Sequence, residues 1–87
     1  MYLHFNRPTR KTIHPGPRVI QAVTVGGAKK NKLIFWDVTP AGKAKLLTLR
    51  TKPGESMVLD LSWDGVRVLG ALRMTLSRPS ATVYLRD

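Results

Sequence analysis

Two histidines, His4 and His14, and five acids, Asp37, Glu55, Asp60, Asp64 and Asp87, are the side chains best suited to moving a proton or holding a metal ion. Cysteine is absent. A thiol nucleophile, a thiolate metal site and a disulfide staple are therefore excluded. A structural zinc site draws four ligands from Cys, His and carboxylates, and no acid lies between His4 and His14. Paired-carboxylate catalysis holds two acids about 5–10 Å apart. Asp37 and Asp60 are the pair that could meet across a sheet, but no spacing specifies that they do. Asp64 precedes Gly65 in a turn, and Glu55 follows Gly54 and is placed to brace that corner. Asp37, beside Trp36, reads as a charge guarding an edge strand. No serine sits in a nucleophile elbow, and no glycine-rich motif matches a phosphate-binding loop. The expectation is a non-catalytic protein with no metal and no cofactor.

Charge is the stronger signal. The 87 residues carry 15 Lys/Arg against five acids, a formal charge of +10. Residues 1–52 hold eleven of the basic side chains and one acid, Asp37, whereas residues 53–87 hold four of each, so the whole excess lies in the first part. It falls in three groups: Arg7, Arg10, Lys11 and Arg18; Lys29, Lys30 and Lys32; Lys43, Lys45, Arg50 and Lys52. A compact chain with this field repels itself, and a polyanion relieves the repulsion. Nucleic acid is the commonest polyanion, each phosphate contact releasing counterions. An acidic protein surface would answer the same field.

These residues need a scaffold. One domain fits the length, and 43% apolar content is too high for a disordered chain. Met1–Phe5 reads as a short edge strand. Residues 6–18 contain Pro8, Pro15 and Pro17, which remove amide donors and hold their neighbours extended. That stretch is expected to be a basic, extended N-terminal arm. Val19–Val25 and Leu33–Val38 are strands, with Gly-Gly-Ala-Lys-Lys-Asn between them as a hairpin connection. Phe35 and Trp36 oppose each other across the second strand, so one belongs in the core and the strand is central or faces a partner. Lys45–Arg50 follows. Thr51-Lys52-Pro53-Gly54 is a turn, with proline then glycine as a type II turn takes them. Met57–Trp63 alternates with period two, with Trp63 on the inward side, and Asp64-Gly65 predicts a two-residue hairpin turn. The returning run turns Val66, Val68, Leu72, Met74 and Leu76 inward, with a bend or bulge at Gly70. A helical turn over Ala71–Ser77 is the competing reading. Arg78-Pro79-Ser80 turns into a last strand, Thr82–Arg86, whose Tyr84 and Arg86 face outward. A faint similarity links Val23–Phe35 with Val66–Leu76.

Six or seven short strands without an amphipathic helix predict an all-β fold, a small antiparallel barrel or sandwich. No apolar run reaches 18 residues and the N-terminus lacks a signal-peptide core, so the expected location is cytoplasmic, with no membrane span. Leu49-Arg50, Gly54-Glu55-Ser56 and Pro79, Val83, Arg86 and Asp87 faintly resemble the first and last strands of the carbon storage regulator family, small dimeric β proteins that bind messenger RNA. That resemblance implies RNA contacts at Arg50 and Arg86. The sequence departs from the family in an extra residue before Gly54, a shortened middle and the long stretch ahead of Lys45.

The functional expectation is a basic nucleic-acid-binding module, RNA or single strands preferred, as no recognition helix is visible. Its candidate contacts are the eleven basic residues of 1–52 named above, with Tyr84 and Arg86 as an aromatic–cation pair. Arg67 and Arg73 would widen the surface if their face is free. The alternative is a protein-interaction module, an accessory, assembly or inhibitory factor using Phe35 and Trp36. A homodimer is compatible with either.

Overall fold

The computed structural model describes residues 1–61 and 64–87. Among them are nine strands: β1 (Tyr2–Phe5), β2 (Thr9–His14), β3 (Arg18–Gly26), β4 (Asn31–Thr39), β5 (Gly42–Thr51), β6 (Ser56–Asp60), β7 (Val66–Val68), β8 (Ala71–Leu76) and β9 (Ala81–Arg86). They form two antiparallel sheets. One runs β1-β9-β3-β6, with β7 also paired to β3, and the other runs β2-β8-β4-β5. The architecture is a sandwich. Among the described residues, no helix is long and apolar enough to cross a membrane.

Period-two patterning builds the core. β8 and β9 alternate along their whole lengths between buried and half-buried positions, as strands covered on one face do. Ile20, Val23 and Val25 from β3 and Val83 and Leu85 from β9 meet Leu33 and Phe35 from β4 and Leu72, Met74 and Leu76 from β8. Phe35 is fully buried.

Several sequence expectations change. Residues 6–18 are extended, but they are not a free arm: Thr9–His14 is an edge strand paired to β8. The prolines fall outside β2, where a missing N–H costs no ladder bond. Residues 26–31 are not a hairpin, because β3 and β4 belong to different sheets. Nor does Asp64-Gly65 close one. β6 and β7 both lie antiparallel against β3, on Ala22–Gly26 and Arg18–Ile20 in turn. They are two pieces of one edge, rejoined where Gly65 N–H donates to the Leu61 carbonyl at 3.2 Å. The expectation that Trp63 is a core residue lies outside the described residues.

The chain changes sheet at most of its connections. β3 to β4 and β7 to β8, the two segments that share the faint similarity, both pass from the five-stranded to the four-stranded sheet. Gly70 marks the second passage. A Cβ there would overlap the Val38 carbonyl oxygen, so the backbone can fold this close to β4 only without a side chain. Asp37 fastens the corner: its carboxylate accepts from Leu69 N–H at 2.9 Å and Gly70 N–H at 2.8 Å. The edge-guarding role expected for Asp37 is thereby replaced. β4 is an inner strand and the side chain is 8% exposed. Glu55 does brace its corner, where Oε1 accepts from Lys52 N–H at 3.1 Å and Glu55 N–H closes the turn on the Lys52 carbonyl.

Candidate nucleic-acid interface

In an antiparallel ladder, residues directly opposite one another put their side chains on the same face. β4 buries Leu33, Phe35 and Asp37; Lys32, Ile34, Trp36 and Val38 therefore point away from the core. Register then fixes their neighbours. Val38 stands between Lys43 and Ala71, and Trp36 between Lys45 and Arg73, with Thr12 beyond Arg73. Ile34 stands between Thr48 and Thr75, with Arg10 beyond Thr75, and Lys32 opposes Arg50. The outer face of the four-stranded sheet thus gathers Arg10, Lys32, Lys43, Lys45, Arg50 and Arg73 around one tryptophan. At ordinary strand spacings the patch measures roughly 20 by 14 Å.

No acid shares this face among the described residues. Asp37 points inward, Asp60 opposes Ala22 on the other sheet, Glu55 holds a turn, Asp64 lies between β6 and β7, and Asp87 pairs with Arg18. Positive charge is consequently uncompensated here, and low-dielectric protein behind it concentrates the field.

Trp36 is half-buried, and its ring is already engaged. Lys43 Nζ lies 4.5 Å and Lys45 Nζ 5.3 Å from the ring centroid. Both are within the range of cation–π attraction. The indole therefore positions two ammonium groups, and a base could stack on it only by displacing them. The bulge between Phe35 and Trp36 against β5 sets these lysines beside the ring. They also charge a ten-residue edge strand, which discourages pairing with another chain.

The other sequence candidates are dispersed. Arg7 sits in the β1–β2 connection, and Lys11 opposes Met74, on the opposite side of the sheet from Arg10. Arg18 donates through Nε to His14 Nε2 at 3.1 Å and pairs with Asp87. Lys29 and Lys30 are exposed in the β3–β4 corner, and Lys52 is exposed in the β5–β6 turn. Tyr84 and Arg86 belong to the five-stranded sheet: Tyr84 packs on Tyr2 with ring centroids 4.5 Å apart, and Arg86 Nε donates to Gln21 Oε1 at 2.9 Å. Arg50 and Arg86, the pair implied by the carbon storage regulator resemblance, therefore stand on different sheets. Phe35 belongs to the core, so only Trp36 of the expected protein-interface pair reaches the surface.

Arg73 joins the face because its side of β8 is unpacked. Arg78 was not singled out by the sequence, and Asn31 entered only as a member of the basic loop at 29–32. Each reaches its neighbours through a corner, and no local pattern announces that. No group of three or more His, Cys, Asp or Glu residues suited to a metal occurs among the described residues. No protein-family model matches the sequence, and no curated protein matches it either.

Proposed function

We propose that this protein is a non-catalytic module that binds nucleic acid, with RNA or single strands as its targets, through the outer face of the four-stranded sheet. One observation carries the reading: six cations from four adjacent strands share a face with no acid. Such a surface suits a chain of phosphates more than any isolated ligand. Binding is then electrostatic. Phosphate contacts supply affinity without sequence information, and the lysines held over Trp36 lose little freedom when they engage. Single strands fit better than duplex because the face is a sheet surface and the described residues hold no helix to enter a major groove. The alternative, a protein interface on Phe35 and Trp36, has weaker support because Phe35 is enclosed in the core.

Fluorescence anisotropy with a mixed-sequence single-stranded RNA tests the proposal. With five to six phosphate contacts, log affinity should fall against log salt with a slope of about −4, since single strands give roughly −0.7 per contact. Replacing Lys43 and Lys45 by Gln should make the slope shallower by about 1.4, whereas Arg67→Gln, on the other sheet, should leave it unchanged. An absence of binding at 50 mM salt would end the proposal. An Arg67→Gln effect as large, per charge removed, as that of the double variant would replace the face by undirected charge.

A further inference from the structure

The basic face ends in a cleft. Where β4 begins and β5 ends, the corners 26–31 and 77–80 stand against the sheet margin, and between them lies a cavity of about 470 Å³. Its walls bring Lys30, Lys32, Arg50 and Arg78 together with Ser77 and Thr51, and no acid contributes. Lys32 and Arg50 are also the last row of the face, so cleft and face are continuous.

The walls are held by one buried side chain. Asn31 is 3% exposed. Its Oδ1 accepts from Lys32 N–H and Arg78 N–H, both at 2.9 Å, and from Ser77 Oγ at 3.2 Å. Its Nδ2 donates to the Gly26 carbonyl at 3.0 Å and the Arg78 carbonyl at 2.8 Å. Two carbonyl acceptors on one side and two amide donors on the other fix the orientation of the carboxamide. Ser77 N–H donates to the Lys32 carbonyl, and Gly26 and Ser80 exchange N–H bonds to each other's carbonyls. Lys32 and Arg78 thus start from backbone positions tied to a common point, which leaves only their side chains to be ordered when an anion arrives. In the same wall, Thr51 Oγ1 is buried and has no hydrogen-bond partner among the described residues. Natural proteins seldom leave a buried hydroxyl unanswered without a reason.

We infer that this cleft is a subsite for a phosphomonoester, the terminal phosphate of a bound strand or of a free nucleotide. The inference rests on the proposed role of the face and narrows its substrate. An internal phosphodiester carries one negative charge, and the rows of the face offer one or two cations each. A monoester carries close to two negative charges and three strong acceptor oxygens, which matches four cations lining one cleft. The volume suits a terminal nucleotide with its phosphate. Lys32 and Arg50 belong to both the last row of the face and the cleft, so a strand lying along the face reaches the cleft at its end.

Three internally labelled single strands of one sequence, about 12 nucleotides long, test the inference. One carries a 5′-phosphate, one a 3′-phosphate and one hydroxyls at both ends. In phosphate-free buffer, at least one phosphorylated strand should bind about tenfold more tightly than the hydroxyl-ended strand, the scale of one or two charge-assisted hydrogen bonds. The variant K30Q/R78Q, altered at exposed side chains, should bring that ratio close to one. K43Q/K45Q should weaken all three strands and preserve the ratio. Equal affinity of the wild type for all three strands would overturn the subsite while leaving the face intact. If no strand binds, the proposed face fails, and adenosine monophosphate against adenosine in a thermal-shift assay decides the cleft alone. A rise in Tm with the monophosphate that is lost in K30Q/R78Q sustains it; equal behaviour of the two ligands overturns it.

Discussion

Replacing Asp37 by Ala should be among the most damaging single changes in this protein. The carboxylate is 8% exposed and receives the N–H groups of Leu69 and Gly70 at 2.9 and 2.8 Å. Hydrogen bonds to a charged acceptor contribute about 1.5–3 kcal/mol each, and a donor stranded away from water forfeits its solvation as well. Leu69 is itself exposed, so water can reach part of this corner, and the lower half of the summed range applies, about 3–4 kcal/mol. A domain of 87 residues is stable by about 4–13 kcal/mol on the usual per-residue scale. The loss is therefore a large fraction of the total, equivalent to a fall in Tm of roughly 15–25 °C. Asp37→Asn keeps an acceptor oxygen and should cost about 2 kcal/mol, between Ala and wild type. Urea denaturation followed by far-UV circular dichroism measures both variants, and unchanged m values would show that one two-state transition is being compared. If Asp37→Ala lay within 1 kcal/mol of wild type, the carboxylate would not be what fastens the passage between the sheets. Neither variant alters the outer face, so folded Asp37→Asn should bind single-stranded RNA as the wild type does.

Phe35→Ala should cost about 3–5 kcal/mol in the same assay, since the ring is fully enclosed between the sheets and leaves a cavity. Gly70→Ala should destabilise by more than the gain of about 0.4–1 kcal/mol that a compatible glycine replacement gives, because the added methyl meets the Val38 carbonyl. Stability equal to or above wild type would show that this approach is not tight. Arg18→Ala should change stability by less than about 1 kcal/mol, because its ion-pair partner Asp87 is 95% exposed. A larger loss would point to the contact of Arg18 with His14.

How far the sequence disclosed this molecule depends on the range of the interaction concerned. Alternation in Val66–Leu76 named the inward residues Val68, Leu72, Met74 and Leu76 correctly, because a half-buried strand writes its burial every second residue. A break at Gly70 was legible from one glycine in an apolar run, although the chain there passes between sheets and does not bend or bulge within one strand, and the burial of one of Phe35 and Trp36 was legible from their adjacency. Partnership between strands was not legible. Gly26-Gly27 and Asp64-Gly65 carry the residues of hairpin turns, yet in both places the chain does something else, since a turn residue specifies local backbone and not which strand receives the chain. The charge argument met the same limit. Of the eleven basic residues of 1–52, Arg10, Lys32, Lys43, Lys45 and Arg50 share one face, whereas Arg7, Arg18, Lys29, Lys30 and Lys52 lie off it and Lys11 faces away by one residue of strand phase. Tyr84 and Arg86 lie on the other sheet because β9 does, and that is a property of the whole topology.

The pairing order carries a consequence for how the sandwich can assemble. β1 and β2 come first in sequence, but their partners are β9 and β8. β9 also separates β1 from β3, and β8 separates β2 from β4. The last two strands are thus interior members of the two sheets, beside β4 and β3. Until residues 71–86 are in place, β4 with β5, and β3 with β6 and β7, are the pairings the remaining strands can make, and each leaves an open strand margin of the kind that recruits other chains. Contacts this distant in sequence make for slow folding. Loss of the final strand would do more than trim an end: it would cut β1 away from the rest of the five-stranded sheet.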